Sequence, residues 1–533
     1  MENGKRRREF LKTGGAAIIM AASTRSHTEL QTRTFDLEEA TVADLQAAMR
    51  EGGRTSRSIV EAYLERISSI DKAGPKLNSV IELNPDAISI ADALDGERRG
   101  GNLRGPLHGI PVLIKDNIDT ADRMHTTAGS LALADSIAPK DAFIVERLRA
   151  AGAVIIGKTN LSEWANFRSS KSTSGWSGRG GQTRNPYALD RNPCGSSSGS
   201  GAAVSANLCA VAVGTETDGS IVCPSNANSL VGIKPTIGAV SRSGIIPIAH
   251  SQDTAGPMAR TVADAASLLG ALTGIDPRDP ATSSSRGRVP SDFTKYLDLN
   301  GLRGARIGVV RNYFGFSEGV DKLMEESIAA IRKLGAVVVD PVSDPTKGKY
   351  DDTEFEVLLY EFKADLNAYL ATLGPSSPVK TIDDVIGFNE RNRDREMPWF
   401  GQDTMIKAAE KGPLTELKYR RALAANHRLT RSQGIDAMIR GNRLDALIAP
   451  TGGTPWLTDW INGDHFGGGF SSASAVAGYP HITVPNGYIH GLPCGISFFG
   501  PAWSEARLIK YAYAFEQATK HRRSPRFLPT AVS

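Results

Sequence analysis

Beyond about residue 41 the apolar positions switch repeatedly between two periods. From Phe143 to Ala151 they recur at helical spacing, Gly152 supplies a stop, and Ala153-Val154-Ile155-Ile156 is a short unbroken apolar run of the kind buried strands make. The same order returns along the chain. A helix over Ala202 to Leu208 leads into Ala210-Val211-Ala212-Val213, and one over Val320 to Leu334 leads into Ala336-Val337-Val338-Val339. Leu444 to Ala449 is a further strand, and a closing helix begun near Ser504 runs through Leu508 to Thr519. Such alternation predicts an α/β fold: a large, mixed, mostly parallel twisted sheet covered by helices on both faces. Residues 275–297, rich in Pro, Asp and Ser, read as a surface linker. Residues 345–430 are more charged and helix-prone and read as a peripheral helical elaboration of one catalytic domain spanning 31–533. The loop Gly452 to Gly469, with Gly-Gly-Thr-Pro-Trp and three consecutive glycines, lies where substrate contacts or simple packing are both expected.

The amino end reads differently. Arg7-Arg8-Glu9-Phe10-Leu11-Lys12 precedes a weakly apolar run from Gly14 to Ala22, which is similar to a twin-arginine export signal over residues 1–30. A run that short does not cross a hydrocarbon core, which needs roughly 20 residues. The expectation is an exported, periplasmic protein without a stable membrane anchor; the alternative is a basic tail on a cytoplasmic one. The net charge of +4 resides in this segment, since the first 27 residues hold six Lys/Arg and two Asp/Glu and the remainder is balanced. That balance argues against nucleic acid as a partner, which clustered basic side chains would have to grip. Cys194, Cys209, Cys223 and Cys494 have neither metal-site spacing nor the density of a disulfide scaffold, and read as small buried hydrophobes. The nine scattered histidines form no zinc motif, so no metal or cofactor is expected.

Three stretches carry candidate chemistry. In Gly105-Pro106-Leu107-His108-Gly109-Ile110-Pro111-Val112-Leu113-Ile114-Lys115 a lysine ends an apolar strand. Buried, its amine would lose its proton near neutrality and serve as a base; otherwise it reaches out to water. In Cys194-Gly195-Ser196-Ser197-Ser198-Gly199-Ser200-Gly201 a Gly/Ser loop runs into a helix-forming sequence. It could hold an anion, turn the chain, or carry a catalytic hydroxyl, and Gly195-x-Ser197-x-Gly199 also fits a nucleophile elbow. That last reading needs a histidine, for which His250, His427, His481 and His490 are candidates. In Gly214-Thr215-Glu216-Thr217-Asp218-Gly219-Ser220-Ile221-Val222-Cys223-Pro224 a serine follows a polar turn whose successive N–H groups could converge on an oxyanion, or which could be an ordinary turn.

Together the three stretches resemble the amidase signature family, with its strand-end lysine, its Gly-Gly-Ser-Ser-Gly-Gly-Ser loop, and a serine 24 positions beyond the loop's first serine, here Ser196 and Ser220. Gly157-Lys158-Thr159-Asn160, Gly232-Ile233-Lys234-Pro235-Thr236, Ser251 to Met258 and Ala477-Gly478-Tyr479-Pro480 extend the likeness over about residues 36 to 525. Within the family the wording of Asn160 to Arg168, Gly180 to Tyr187 and Leu359 to Ala364 resembles the bacterial peptide amidases, which also share Cys194 and Ser198 where the family more often has glycine.

The resemblance implies a Ser–cisSer–Lys triad: Ser220 as nucleophile, Lys115 as base, and Ser196, after a cis bond from Gly195, as relay. It also implies an oxyanion hole of the backbone N–H groups of Thr217, Asp218, Gly219 and Ser220, with Ser197 in support, and no cofactor or metal. The implied reaction is release of ammonia from C-terminal peptide amides through an acyl-serine. The rival readings are an amidase of other small, aryl or fatty acyl amides, the component of the tRNA-dependent amidotransferase that shares this fold and triad, and a catalytically silent binding protein. Trp164, Phe167, Tyr187 and Trp456 read either as walls of a peptide cleft or as core aromatics.

Overall fold

The helix–turn–strand grammar takes shape at Phe143–Ala150, which buries Ile144, Val145 and Leu148 on one side and closes with Arg147 and Arg149 in its last turn. Gly152, at φ +75°, ends it in the left-handed conformation that glycine adopts without steric cost, and the chain enters Val154–Thr159, buried at every position. These observations come from a computed structural model that describes residues 37–375 and 377–532; the export signal read over residues 1–30 lies outside the described residues. Leu37 onward forms one unit.

Eleven strands make one mixed sheet. In order across it they are Val80–Leu83, Val154–Thr159, Pro111–Lys115, Val211–Glu216, Thr254–Ala259, Val231–Lys234, His481–Ile489, Leu492–Phe499, Ala446–Pro450, Arg306–Val310 and Val337–Val342. Parallel pairs join 111–115 to both 154–159 and 211–216, and 306–310 to both 446–450 and 337–342. The middle of the sheet and its 80–83 edge pair antiparallel, as in the hairpin of 481–489 with 492–499. The parallel wings are where helices intervene between strands; the hairpin needs only a tight turn. Among the described residues no helix is long and apolar enough to cross a membrane.

The pairing of 111–115 with 211–216 positions the site. Val112 lies opposite Val211 and Ile114 opposite Val213, so Lys115 and Thr215 leave the sheet at the same carboxyl edge, where α/β sheets commonly place their ligands. The helix Ser198–Ser205 packs against these strands. It approaches so closely that a Cβ on Gly199 would stand 2.2 Å from the Ser79 carbonyl oxygen and 2.4 Å from that of Asn160, which explains the glycine.

Residues 345–430 hold the helices Asp351–Thr372, Ile382–Arg391, Asp403–Ala409 and Leu417–His427, with a short turn of helix at Arg393–Glu396. Leu358, Phe362, Leu366 and Leu370 pack with Val385 and Met405 against Trp164, Phe167, Ile246 and Ile248. The elaboration thus closes over segments that flank the carboxyl edge of the sheet.

Candidate active site

Lys115 ends a strand of five buried residues and is itself fully buried. Its Nζ lies 2.7 Å from Ser196 Oγ, 2.9 Å from Thr215 Oγ1 and 3.3 Å from the Thr215 carbonyl oxygen. Burial lowers the amine to about 7, against the weaker opposing pull of Asp253 and Glu216. A neutral amine has two N–H donors and one lone pair, and the three neighbours fit that set. The two Thr215 oxygens accept, and the Ser196 hydroxyl can donate to the lone pair.

Ser196 follows a cis peptide bond from Gly195, and its carbonyl accepts from the Ser162 N–H at 3.1 Å. Ser197 braces the lysine indirectly. Its hydroxyl donates to the Thr215 carbonyl at 3.0 Å and accepts from the Thr215 N–H at 3.1 Å, while its own N–H donates to the Ser220 carbonyl at 3.1 Å. None of His250, His427, His481 and His490 bonds to Ser197 among the described residues. His250 pairs with Asp365 and His481 with Ser497, so the nucleophile-elbow reading of Gly195-x-Ser197-x-Gly199 has no base to support it.

The turn that carries Ser220 is organised by Glu216, whose Oε2 accepts from the N–H groups of Ile221 at 2.7 Å and Val222 at 3.0 Å. This folds residues 217–220 outward, with Gly219 at φ +76° and its carbonyl accepting from Cys223 N–H at 2.7 Å. The amides of Thr217, Asp218, Gly219 and Ser220 donate no hydrogen bond to any described residue. Four adjacent unclaimed donors suit an anionic oxygen. Ser220 is 7% exposed, and among the described residues its hydroxyl makes no hydrogen bond, to Ser196 or to any other group. A cavity of about 460 Å³, lined by Asn117, Thr215, Thr217, Ile246, Asp253 and Tyr369 among others, opens beside the lysine's partner Thr215.

The cysteines depart from the sequence expectation. Cys194 and Cys223, read as small buried hydrophobes, are joined in a disulfide with their Cα atoms 5.9 Å apart; Cys209 and Cys494 are free and buried. The bond ties the loop of Ser196 to the helix that follows Ser220. Spacing could not reveal it, because the two cysteines meet only when the two serine loops pack together. Thr215, Asn117 and Glu216 are site residues that the sequence patterns do not single out, although Thr215 and Glu216 lie inside the third motif. Asn117 Nδ2 donates to Thr215 Oγ1 at 3.0 Å, orienting the lysine's partner.

Of the four candidate cleft aromatics, Trp164, Phe167 and Tyr187 are buried core residues, and Trp456 borders a surface groove. His250, Glu361 and Asp365 bring three potential metal-ligating atoms within 4.8 Å of one another. Their polar atoms are already engaged, however: His250 Nδ1 with Asp365, and Glu361 with the Tyr419 hydroxyl and the Ser251 N–H. The cluster reads as an ion pair between the elaboration and the sheet edge.

Comparison with known proteins places the chain in a family. The family model described as Amidase matches residues 58–509. A probable amidase of Arabidopsis thaliana is 44% identical over 521 residues, covering 96% of each chain. The native peptide amidase of Stenotrophomonas maltophilia superposes with a TM-score of 0.88 at 53% identity, covering 92% of this chain and 99% of that one. The peptide amidase PAM, solved with the competitive inhibitor chymostatin, gives a TM-score of 0.90 at 53% identity, covering 92% and 100%. The chain belongs to the amidase family and is an amide hydrolase.

Proposed function

We propose that this enzyme releases ammonia from the C-terminal amide of peptides, with Ser220 as nucleophile, Ser196 as proton relay and Lys115 as base. The observation that carries the reading is the buried, neutral-leaning amine of Lys115 at 2.7 Å from Ser196, next to four unclaimed amides at Ser220. The peptide class is supported by the likeness to peptide amidases over nine-tenths of the chain.

In the first step Lys115 takes the Ser196 proton while Ser196 takes that of Ser220, and Ser220 Oγ bonds to the amide carbon. The amide C=O becomes an oxyanion that accepts from the N–H groups of residues 217–220, each fixed donor lowering the barrier by about 3–4 kcal/mol. The relay then returns a proton to the amide nitrogen, the C–N bond breaks, and ammonia leaves an acyl ester on Ser220. Water, deprotonated through the same relay, cleaves the ester and restores the hydroxyl. Ser220 Oγ must swing toward Ser196 when substrate arrives, as catalytic hydrogen bonds often tighten only in the complex.

Ammonia release from a peptide amide, a free amino-acid amide and an aryl amide tests the reading. The peptide amide should be the best substrate, and Ser220→Ala should lower its turnover by on the order of 10⁴–10⁶. Activity confined to the aryl amide would refute the peptide assignment. The amino-terminal segment is proposed to export the chain, and an enzyme with a disulfide at its site suits an oxidising compartment. Retention of an Arg7→Lys, Arg8→Lys chain in the cytoplasmic fraction would support export; unchanged distribution would refute it.

A further inference from the structure

The loop between Gly452 and Phe470 exposes an unusual amount of apolar surface. Leu457, Trp460, Ile461 and Phe466, with Trp399 from the helical elaboration, are each between 41% and 75% exposed. Trp399 and Trp460 stack at 4.9 Å with their planes 23° apart, and Trp456 meets Phe466 edge-on at 6.1 Å. Arg191, Trp399, Trp456, Leu457, Trp460 and Ile461 surround a groove of about 660 Å³. Clustered exposed apolar surface of this kind marks a binding site more often than chance.

The exposure is built in. Asp459 Oδ1 accepts from the N–H groups of Ile461 at 3.0 Å and Asn462 at 2.9 Å, a turn that holds Trp460 and Ile461 at its tip. Trp460 Nε1 donates to Gln182 Oε1 at 3.0 Å, fixing the ring. The groove wall is also tied to the segment that carries Ser196. Residues 190–192 pair with 456–458 through Asn192 N–H to the Trp456 carbonyl at 2.8 Å and Thr458 N–H to the Asp190 carbonyl at 3.1 Å, and the chain then runs straight into Ser196. Asp464 accepts from Ser174 N–H at 3.0 Å, Asn192 Nδ2 at 3.4 Å and Trp456 Nε1 at 3.2 Å. At the loop's far end Ser472 donates to Asp218, beside Ser220.

Arg191 stands five residues before Ser196, so the groove wall begins within roughly 18 Å of it along the chain. An extended peptide has a similar rise per residue, so a substrate of a few residues is long enough to reach from the amide to this wall.

We propose that this groove binds apolar side chains of the substrate peptide upstream of its C-terminal amide, with the Trp399–Trp460 stack as its platform, and so selects peptides carrying aromatic or large aliphatic residues there. The proposal rests on the peptide-amide reading above and adds a residue preference to it. Rigid aromatic anchors of this type commonly carry most of a contact's affinity. The enclosing turn keeps the ordering cost of binding low.

The test compares kcat/KM for a free amino-acid amide with tetrapeptide amides bearing Phe or Ala at the upstream positions, in the wild type and in Trp399→Ala, Trp460→Ala and the double variant. The wild type should prefer the Phe peptides by about tenfold through KM, the double variant should lose that preference, and the amino-acid amide should be hydrolysed equally by both. A preference that persists in the double variant, or equal losses on all three substrates, would overturn the proposal while leaving the peptide-amide reading intact. If no peptide amide is hydrolysed, that reading fails separately, and binding of the same peptides to Ser220→Ala protein still decides the groove. Weaker binding of the Phe peptide once the tryptophans are removed supports it, and unchanged binding overturns it. A shift from dimer to monomer in the double variant with peptide affinity unchanged would give the surface to a second copy of the chain and overturn it as well.

Discussion

At the scale of single residues, activity turns on the protonation of Lys115. Charged, it would donate to all three of its oxygen neighbours; neutral, it presents a lone pair to Ser196. Burial moves it from its ordinary 10.5 to about 7, so activity should require the upper side of that value. The kcat/KM profile is expected to rise with pH through an ionisation near 7 and then level off; a profile flat between pH 5 and 9 would contradict this. The same shift has a stability consequence of definite sign. Between about 7 and 10.5 the unfolded chain holds a proton that the folded chain lacks, so this group makes stability increase with pH across that window. A lysine closing an apolar run is visible in the sequence, as are the serines at 196 and 220. How the amine is held is not, because Thr215 meets it only through the pairing of two strands a hundred residues apart.

At the scale of elements, the two serine loops are fastened to one another by the Cys194–Cys223 disulfide and by the Ser197 N–H to Ser220 carbonyl bond. The cysteines are 29 positions apart, for which loop-closure entropy gives a stabilisation of about 3–4 kcal/mol. Reduction, or Cys194→Ser with Cys223→Ser, should therefore lower the urea midpoint and slow ammonia release together. Full activity after verified reduction would show that the loops hold their geometry without the bond. Helix and strand positions are legible from periodicity, as at Phe143–Ala150 and Val154–Thr159, where Gly152 marks the stop. The start of the helix at Ser198 is not. The sequence pattern places it at Ala202, because serine and glycine are poor helix formers, and here tertiary packing against Thr159 and Val213 overrides propensity.

At the scale of the molecule, the helical elaboration is joined to the segment 163–168 through a buried charge cluster. Arg168 donates to the Glu163 carboxylate and to the Glu396 carbonyl and stacks on Phe400, and its side chain and both carboxylates are almost wholly excluded from solvent. Burial raises the Glu163 carboxyl well above its usual range, and the neighbouring Glu396 raises it further, against the opposing pull of Arg168. Removing the guanidinium would leave the two acids without their cation, so Arg168→Met should cost about 3–5 kcal/mol of stability, read as a lower urea midpoint; an unchanged midpoint would show that the guanidinium is not needed to hold the cluster. The charged, helix-prone character of 345–430 is legible, but its packing onto Trp164, Phe167, Ile246 and Ile248 depends on contacts no local pattern encodes. Ser220 is tested as the nucleophile most directly by acid-quenched mass spectrometry of the enzyme during turnover of a peptide amide. An acyl adduct is expected on the fragment containing Ser220, absent in Ser220→Ala. An adduct on Ser196 or Ser197 instead, or ammonia release undiminished in Ser220→Ala, would contradict it.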